Sequence, residues 1–296
     1  MRRTFKILTS MAFAALMSGS ALAADLDQII NAPQDDPYVP VEIGTGWYIR
    51  GDISYDMQTS TSGSYRTYGD IDPDPLVDAF AYGSADYDNF EYEAGNDWAI
   101  GIGYQYNSWI RGDLTAGYWK RGVYGTDNDP APCRDPLLFP TAVGCRSVDT
   151  TTATGWEVMA NAYADLGTYV GITPYLGAGL GLTRVSYADL NNSAECYDAA
   201  GAAIPGCGFP AALGGPPIVH PGEDSYRFTW ALMAGASYDL SKNLKFDLGY
   251  RYAHVDGGNM FGFDAATAAA GATGVQGVED GFSTHQIKAG VRYSIW

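Results

Sequence analysis

Apolar and polar residues alternate one by one along much of this chain, the period of a β-strand with one apolar face. Eight stretches carry the pattern. In the first, Trp47, Ile49, Ile53, Tyr55 and Met57 fall on one side and Tyr48, Arg50, Asp52, Ser54 and Asp56 on the other. The second sets Trp98, Ile100, Ile102, Tyr104 and Tyr106 against small and polar neighbours. The third sets Ile110, Leu114, Ala116 and Tyr118 against Arg111, Asp113, Thr115, Trp119 and Arg121. Five more follow, over Trp156–Leu166, Tyr175–Thr183, Arg227–Asp239, Leu244–Tyr252 and Gln286–Ile295. About ten such residues, tilted, cross a hydrophobic band of roughly 25 Å.

The links between these stretches alternate in length. Short ones fall at Asn107-Ser108-Trp109, from Gly167 to Ile172, and at Ser241-Lys242-Asn243. Long ones run from Gln58 to Gly95, Gly122 to Thr151, Asp189 to Tyr226, and Gly257 to Gly281. Three short and four long links around eight strands place both ends of the meander on the short-link side, as a closed up-and-down barrel requires. The predicted fold is all-β: an eight-stranded antiparallel transmembrane barrel with short periplasmic turns and four long extracellular loops.

A soluble β-sandwich or lipocalin-like barrel would alternate too, but it would bury its apolar face. Here the other face carries eight basic residues, Arg50, Arg111, Arg121, Arg227, Lys245, Arg251, Lys288 and Arg292. Against them stand seven acidic ones, Asp52, Asp56, Asp113, Glu157, Asp165, Asp239 and Asp247. So many charges do not fit a dry core, and they do fit a polar lumen with the apolar face turned to lipid. An eight-stranded barrel is just wide enough to be filled by side chains, so the nearly balanced set predicts an ion-paired plug.

The chain opens with Arg2, Arg3 and Lys6, a short apolar run from Ile7 to Met17, and a small-residue site at Ala21-Leu22-Ala23. This reads as a secretory signal over residues 1–23. Residues 24–45, with Pro33, Pro37 and Pro40 among acidic and polar residues, read as a periplasmic lead-in, and residues 46–296 as the barrel. Removing the signal takes the formal charge of −17 three units further negative. An acidic chain of this kind is no nucleic-acid binder, since a phosphate backbone calls for concentrated Lys and Arg. Four cysteines in an exported chain favour disulfides, Cys133 with Cys145 and Cys196 with Cys207, each within one long loop. Their spacing lacks the close pairs of a zinc site.

Gly46-Trp47-Tyr48-Ile49-Arg50-Gly51-Asp52, Thr173-Pro174-Tyr175-Leu176-Gly177-Ala178-Gly179, Gly249-Tyr250-Arg251-Tyr252 and the terminal Lys288 to Trp296 carry a family likeness. On these residues the chain resembles the outer-membrane β-barrel surface antigens of proteobacteria, which share their architecture with the opacity proteins and the barrel domain of OmpA. The resemblance covers the whole exported part and implies residence in a Gram-negative outer membrane among lipid and lipopolysaccharide. Lys288, Gly290, Tyr293, Ile295 and Trp296 resemble the C-terminal signal read by the barrel-assembly machinery. They depart from it in that Ile295, not Trp296, is in phase with the outward residues.

Candidate chemistry is sparse. Asp70, Asp72, Asp74, Asp86 and Asp88 offer carboxylate oxygens in the first long loop, without the glycine and distal glutamate of a calcium loop. His254, with Asp256 two places on, faintly resembles the histidine of lipid A deacylases, but an aspartate replaces the serine nucleophile. No catalytic residue, metal site or cofactor is expected. The predicted function is that of a non-enzymatic outer-membrane surface protein, serving envelope integrity, adhesion or antigen display through loops that meet an external ligand. A small porin-like channel is the alternative, and a lipid A deacylase a more distant one.

Overall fold

The computed structural model describes residues 46–70, 80–129, 139–205, 207 and 218–295. The expected signal and lead-in lie outside these residues, as do Asp72, Asp74, Cys133 and Trp296. In chain order the strands are β1 (Gly46–Asp56), β2 (Thr59–Thr61), β3 (Gly63–Asp70), β4 (Phe80–Asp86), β5 (Asn89–Tyr92), β6 (Gly95–Gln105) and β7 (Ile110–Asp129). They continue with β8 (Gly144–Asp165), β9 (Ile172–Tyr187), β10 (Leu190–Tyr197), β11 (Ile218–His220), β12 (Asp224–Asp239), β13 (Leu244–Gly262) and β14 (Val275–Ser294). Among the described residues a short helix, Ala265–Ala269, is capped by the Asp264 side chain, which accepts from the backbone N–H groups of Ala266 and Thr267.

Eight of these strands close a ring in the order β1, β6, β7, β8, β9, β12, β13, β14, every pair antiparallel. Pairing of β1 with β14, from Tyr48 opposite Ser294 to Asp56 opposite Gln286, completes it. These are the eight predicted strands in the predicted order. The short turns use local polar chemistry: in the first, the Asn107 side chain accepts from the N–H groups of Trp109 and Ile110, both at 2.8 Å.

The long links are where sequence and structure part. Expected as loops, they are in large part a second storey of the same wall. β7 runs eight residues past Arg121 and β8 begins at Gly144, well before the alternation that starts at Trp156. Other strands continue upward across a break. β2 resumes β1, with Met57 N–H donating to the His285 carbonyl at 3.1 Å. β5 resumes β6, with Glu93 N–H donating to the Gly122 carbonyl at 2.9 Å. β10 resumes β9 through the Ala188 N–H to the Thr152 carbonyl at 2.9 Å, and β11 precedes β12 in the same way. A β3–β4 hairpin leans on the top of β14.

Side-chain polarity marks where lipid ends. On the outside of the lower storey lie Trp98, Ile100, Leu114, Trp156, Val158, Leu176, Leu180, Leu182, Leu248 and Val291, all exposed. Further up the same outward face, Lys120 follows Tyr118, Arg184 follows Leu182, and Thr154, Thr152 and Thr150 precede Trp156. Exposed apolar surface on that scale is stable only against hydrocarbon, and the aromatic rings at its border suit the headgroup layer.

Candidate functional site: a filled lumen under an aromatic cap

Strand alternation turns every second residue of the lower storey inward, and the structure turns all fifteen predicted lumen charges inward, Arg227 at the level of the cap and the others in this storey. Each has a partner. Arg50 bridges Asp113 at 2.7 Å and Asp52 at 2.9 Å, and Lys288 reaches Asp52 from the adjacent strand β14 at 3.0 Å. Arg111 meets Asp165 at 3.1 Å, Arg251 meets Glu157 at 2.8 Å, Arg292 meets Asp247 at 3.2 Å, and Arg121 meets Asp56 at 3.2 Å. Lys245 pairs with Asp239 and Arg227 with Glu279. The flat face of the Arg111 guanidinium lies 4.0 Å from the Tyr163 ring centre and 4.9 Å from that of Tyr175, a cation–π stack in place of further acceptors. Tyr48 donates to Asp113 at 3.0 Å.

Two acidic members were missed by sequence reasoning. Asp97 is buried and pairs with Arg121, while its second oxygen accepts from Gln286 at 2.7 Å. It lies one residue before Trp98, where the alternating stretch seemed to begin, and extending the phase by one step would have found it. Glu279 lay inside the link expected from Gly257 to Gly281, and nothing in its neighbourhood marked it as a strand residue.

Above the ionic layer the interior changes character. Phe90, Tyr92, Trp119, Val123, Val185, Tyr187, Val255, Met260, Phe261 and Phe282 form one buried apolar cluster across the mouth. Ring centres lie 4.5 Å apart for Tyr92 and Phe282, 5.9 Å for Trp119 and Phe282, and 5.2 Å for Tyr187 and Phe261. The indole of Trp119 lies flat over Gly155 of the next strand, where any Cβ would collide with it. Between cap and ionic layer a cavity of about 50 Å³ remains, bordered by Asp56, Asp97, Arg121 and Arg251 below and Tyr92 and Phe282 above. That is space for a few waters at most. One ion pair, Arg227 with Glu279, is wholly buried at the level of the cap, where Tyr92 donates to Glu279 at 2.5 Å.

The remaining expected residues fall as follows. Cys196 and Cys207 form a disulfide. Cys145 is also disulfide-bonded, and it lies opposite Cys196 in the β8–β10 pairing. Of the C-terminal group, Tyr293 and Ile295 face outward, Lys288 faces the lumen, and Gly290 leaves room for the Asp52 carboxylate. Asp86 ends β4 and Asp88 follows it in the turn.

His254 does have a serine beside it, supplied by the neighbouring strand: Ser283 Oγ is 3.0 Å from its Nδ1. Asp256 Oδ1 is 3.7 Å from Nε2, beyond hydrogen-bond range, and about half-exposed. The imidazole therefore lacks the buried carboxylate contact that orients a triad base, and Ser283 is shared with the Tyr252 hydroxyl at 2.9 Å.

The model of the outer membrane protein β-barrel domain matches residues 11–294. An uncharacterized protein of Brucella suis biovar 1 (strain 1330) is 36% identical over 288 residues, covering 94% of this chain and 94% of its own length. One of Brucella melitensis biotype 1 gives the same identity and coverage. Among solved structures the fold is similar to Neisserial surface protein A, at 19% identity and a TM-score of 0.41 over 85% of this chain and 99% of that one. It is also similar to the outer membrane protein OprG from Pseudomonas aeruginosa, at 13% identity and 0.38 over 85% and 97%. An outward apolar belt, a closed ring of eight strands and a family match over nearly the whole length agree: the chain belongs to the outer membrane β-barrel protein family and resides in the Gram-negative outer membrane.

Proposed function

We propose that this protein is a non-enzymatic surface barrel whose working part is the outer head and whose lumen is structural filling. The observation that supports this most is the double closure of the interior, by ion pairs below and by packed rings above. A solute moving inward would have to part the ring cluster and then break buried pairs, each worth about 3 to 5 kcal/mol when one partner is lost. In planar bilayers the purified, refolded chain is expected to give no unitary current steps. Stable steps that disappear on Arg50→Ala or Asp113→Ala would replace this reading by a channel.

On this reading lipopolysaccharide is a lateral neighbour of the aromatic belt. The barrel-assembly machinery meets the chain through Tyr293 and Ile295, and adhesion or antigen display falls to the head. An enzyme on the outer wall is tested separately. Lipid A from cells expressing the protein is expected to keep its acyl chains, and a loss abolished by His254→Ala would restore the deacylase.

A further inference from the structure

Above the aromatic cap, on the extracellular side, a second cavity of about 200 Å³ opens between β3, β7, β8, β10, β11 and β14. Asp149, on β8, stands roughly 23 Å along the strand beyond the belt residue Trp156, so the cavity is well outside the bilayer. Two carboxylates reach it, Asp127 and Asp149, together with the rings of Tyr65 and Tyr87, whose centres are 5.1 Å apart. Among the described residues no Lys or Arg lines it. The neighbours of the carboxylates are hydrogen-bond donors without charge. Tyr65 donates to Asp127, and Asn192 donates to Asp149 at 2.5 Å and to Ser147 at 2.7 Å.

The contrast with the lumen is the clue. There every buried carboxylate has a guanidinium or ammonium partner; here two carboxylates share one cavity with none. His220 also lines this cavity. His220 is 8% exposed, and its Nδ1 has no hydrogen-bond partner. Its other interactions are with the Gly262 backbone, Gln276 and the Asp264 carboxylate, and burial holds the imidazole below its usual range.

We propose that this cavity binds the primary ammonium group of a small amine at the Asp127 and Asp149 carboxylates, with the tyrosine rings against its carbon chain and His220 Nδ1 as a further acceptor on the cavity wall. An ammonium carries three N–H donors and one positive charge, which suits a pair of carboxylates without a cationic partner, and aromatic faces attract it further. A neutral sugar would leave both carboxylates unneutralised at a cost of several kcal/mol. A divalent metal asks for more oxygen ligands, and among the described residues no three acidic, histidine or cysteine side chains converge to hold one.

Burial, with Asp127 nearby, pushes the Asp149 carboxyl up to about 6. Asp127 faces it from β7, Tyr87 and Asn192 hydrogen-bond to it, and Tyr65, Asp88 and His220 complete the ionisable surroundings. Protonation then competes with the amine, so affinity falls about tenfold between pH 7.5 and pH 5.

The test is calorimetric titration of the refolded full chain with putrescine, with 1,4-butanediol as its uncharged counterpart and magnesium chloride as the inorganic alternative. Putrescine is expected to bind and the diol not to bind. Asp149→Asn is expected to weaken putrescine at least tenfold and to flatten the pH dependence, with heat-modifiable migration on gels confirming that the variant folds. His220→Phe, which keeps the ring and removes the acceptor, is expected to weaken it several-fold. Equal binding of diol and diamine, no binding of putrescine at millimolar concentration, or binding of magnesium alone would each overturn the proposal.

Discussion

The two storeys of this barrel are built from the same strands and are inside-out with respect to each other. Below the belt the outside is Trp156, Val158, Leu180 and Leu182, and the inside is Arg50, Asp113, Arg111 and Asp165. Above it the outside is Lys120, Thr150, Thr152 and Arg184, and the inside is Val123, Val185, Val255 and a set of rings. The solvent outside the wall decides the difference. Against hydrocarbon there is no gain in turning apolar groups inward, so the interior is free to be ionic; against water the hydrophobic effect returns and the interior becomes an ordinary core.

The sharpest way to break this comparison is through the pair that violates it. Arg227 and Glu279 are an ionic unit set at the level of the apolar cap. Arg227→Leu leaves a buried carboxylate alone and is expected to lower stability by about 3 to 5 kcal/mol, measured by urea unfolding in lipid vesicles. The double change Arg227→Leu with Glu279→Met is expected to recover most of that loss, and failure to recover would mean the pair has a role beyond charge balance.

Next in size is a matched pair of lysine substitutions on the outward face. Leu180→Lys, in the belt, is expected to destabilise by about 2 to 4 kcal/mol, and Thr152→Lys, above it, by less than about 0.5. Equal effects would show that the lipid boundary lies elsewhere. The disulfide Cys196–Cys207 comes third and acts locally. Reduction is expected to speed protease cutting of that segment, consistent with about 3 kcal/mol of chain entropy restored, while the heat-modifiable band stays unchanged. Acidity is the mildest handle. Because the Asp149 carboxyl is raised to about 6, its ionisation opposes folding of the head as pH rises from about 4 through 6 and is complete above that. Protection of the β8 and β10 amides near Asp149 and Asn192, as exchange rates relative to the intrinsic rate at each pH, is therefore expected to be higher at pH 5 than at pH 7.5, and Asp149→Asn is expected to remove the difference.

The lower storey was legible because its pattern has one sense throughout: Trp47 to Met57 and Ile287 to Ile295 each keep apolar residues on one face. The upper storey alternates as well, but the sense reverses at Trp156, Leu182 and Tyr118. Tracking a single apolar face, one sees the pattern stop there and reads a loop. Phe90, Tyr92 and Phe261 of the cap were hidden for that reason. The outer cavity was hidden for another, since Asp127, Asp149 and His220 meet only through pairings between strands far apart in sequence.

The seam where β1 meets β14 ties together residues roughly 240 positions apart, among the most distant pairings the chain makes. Long-range closure of this kind is slow, because the loop entropy is lost before the ladder forms. Until the final strand has left the export channel, β1 and β13 each present a bare edge ready to pair with a second polypeptide. A nascent chain in the periplasm therefore needs an escort, and deleting the last ten residues is expected to convert a folded barrel into an aggregate.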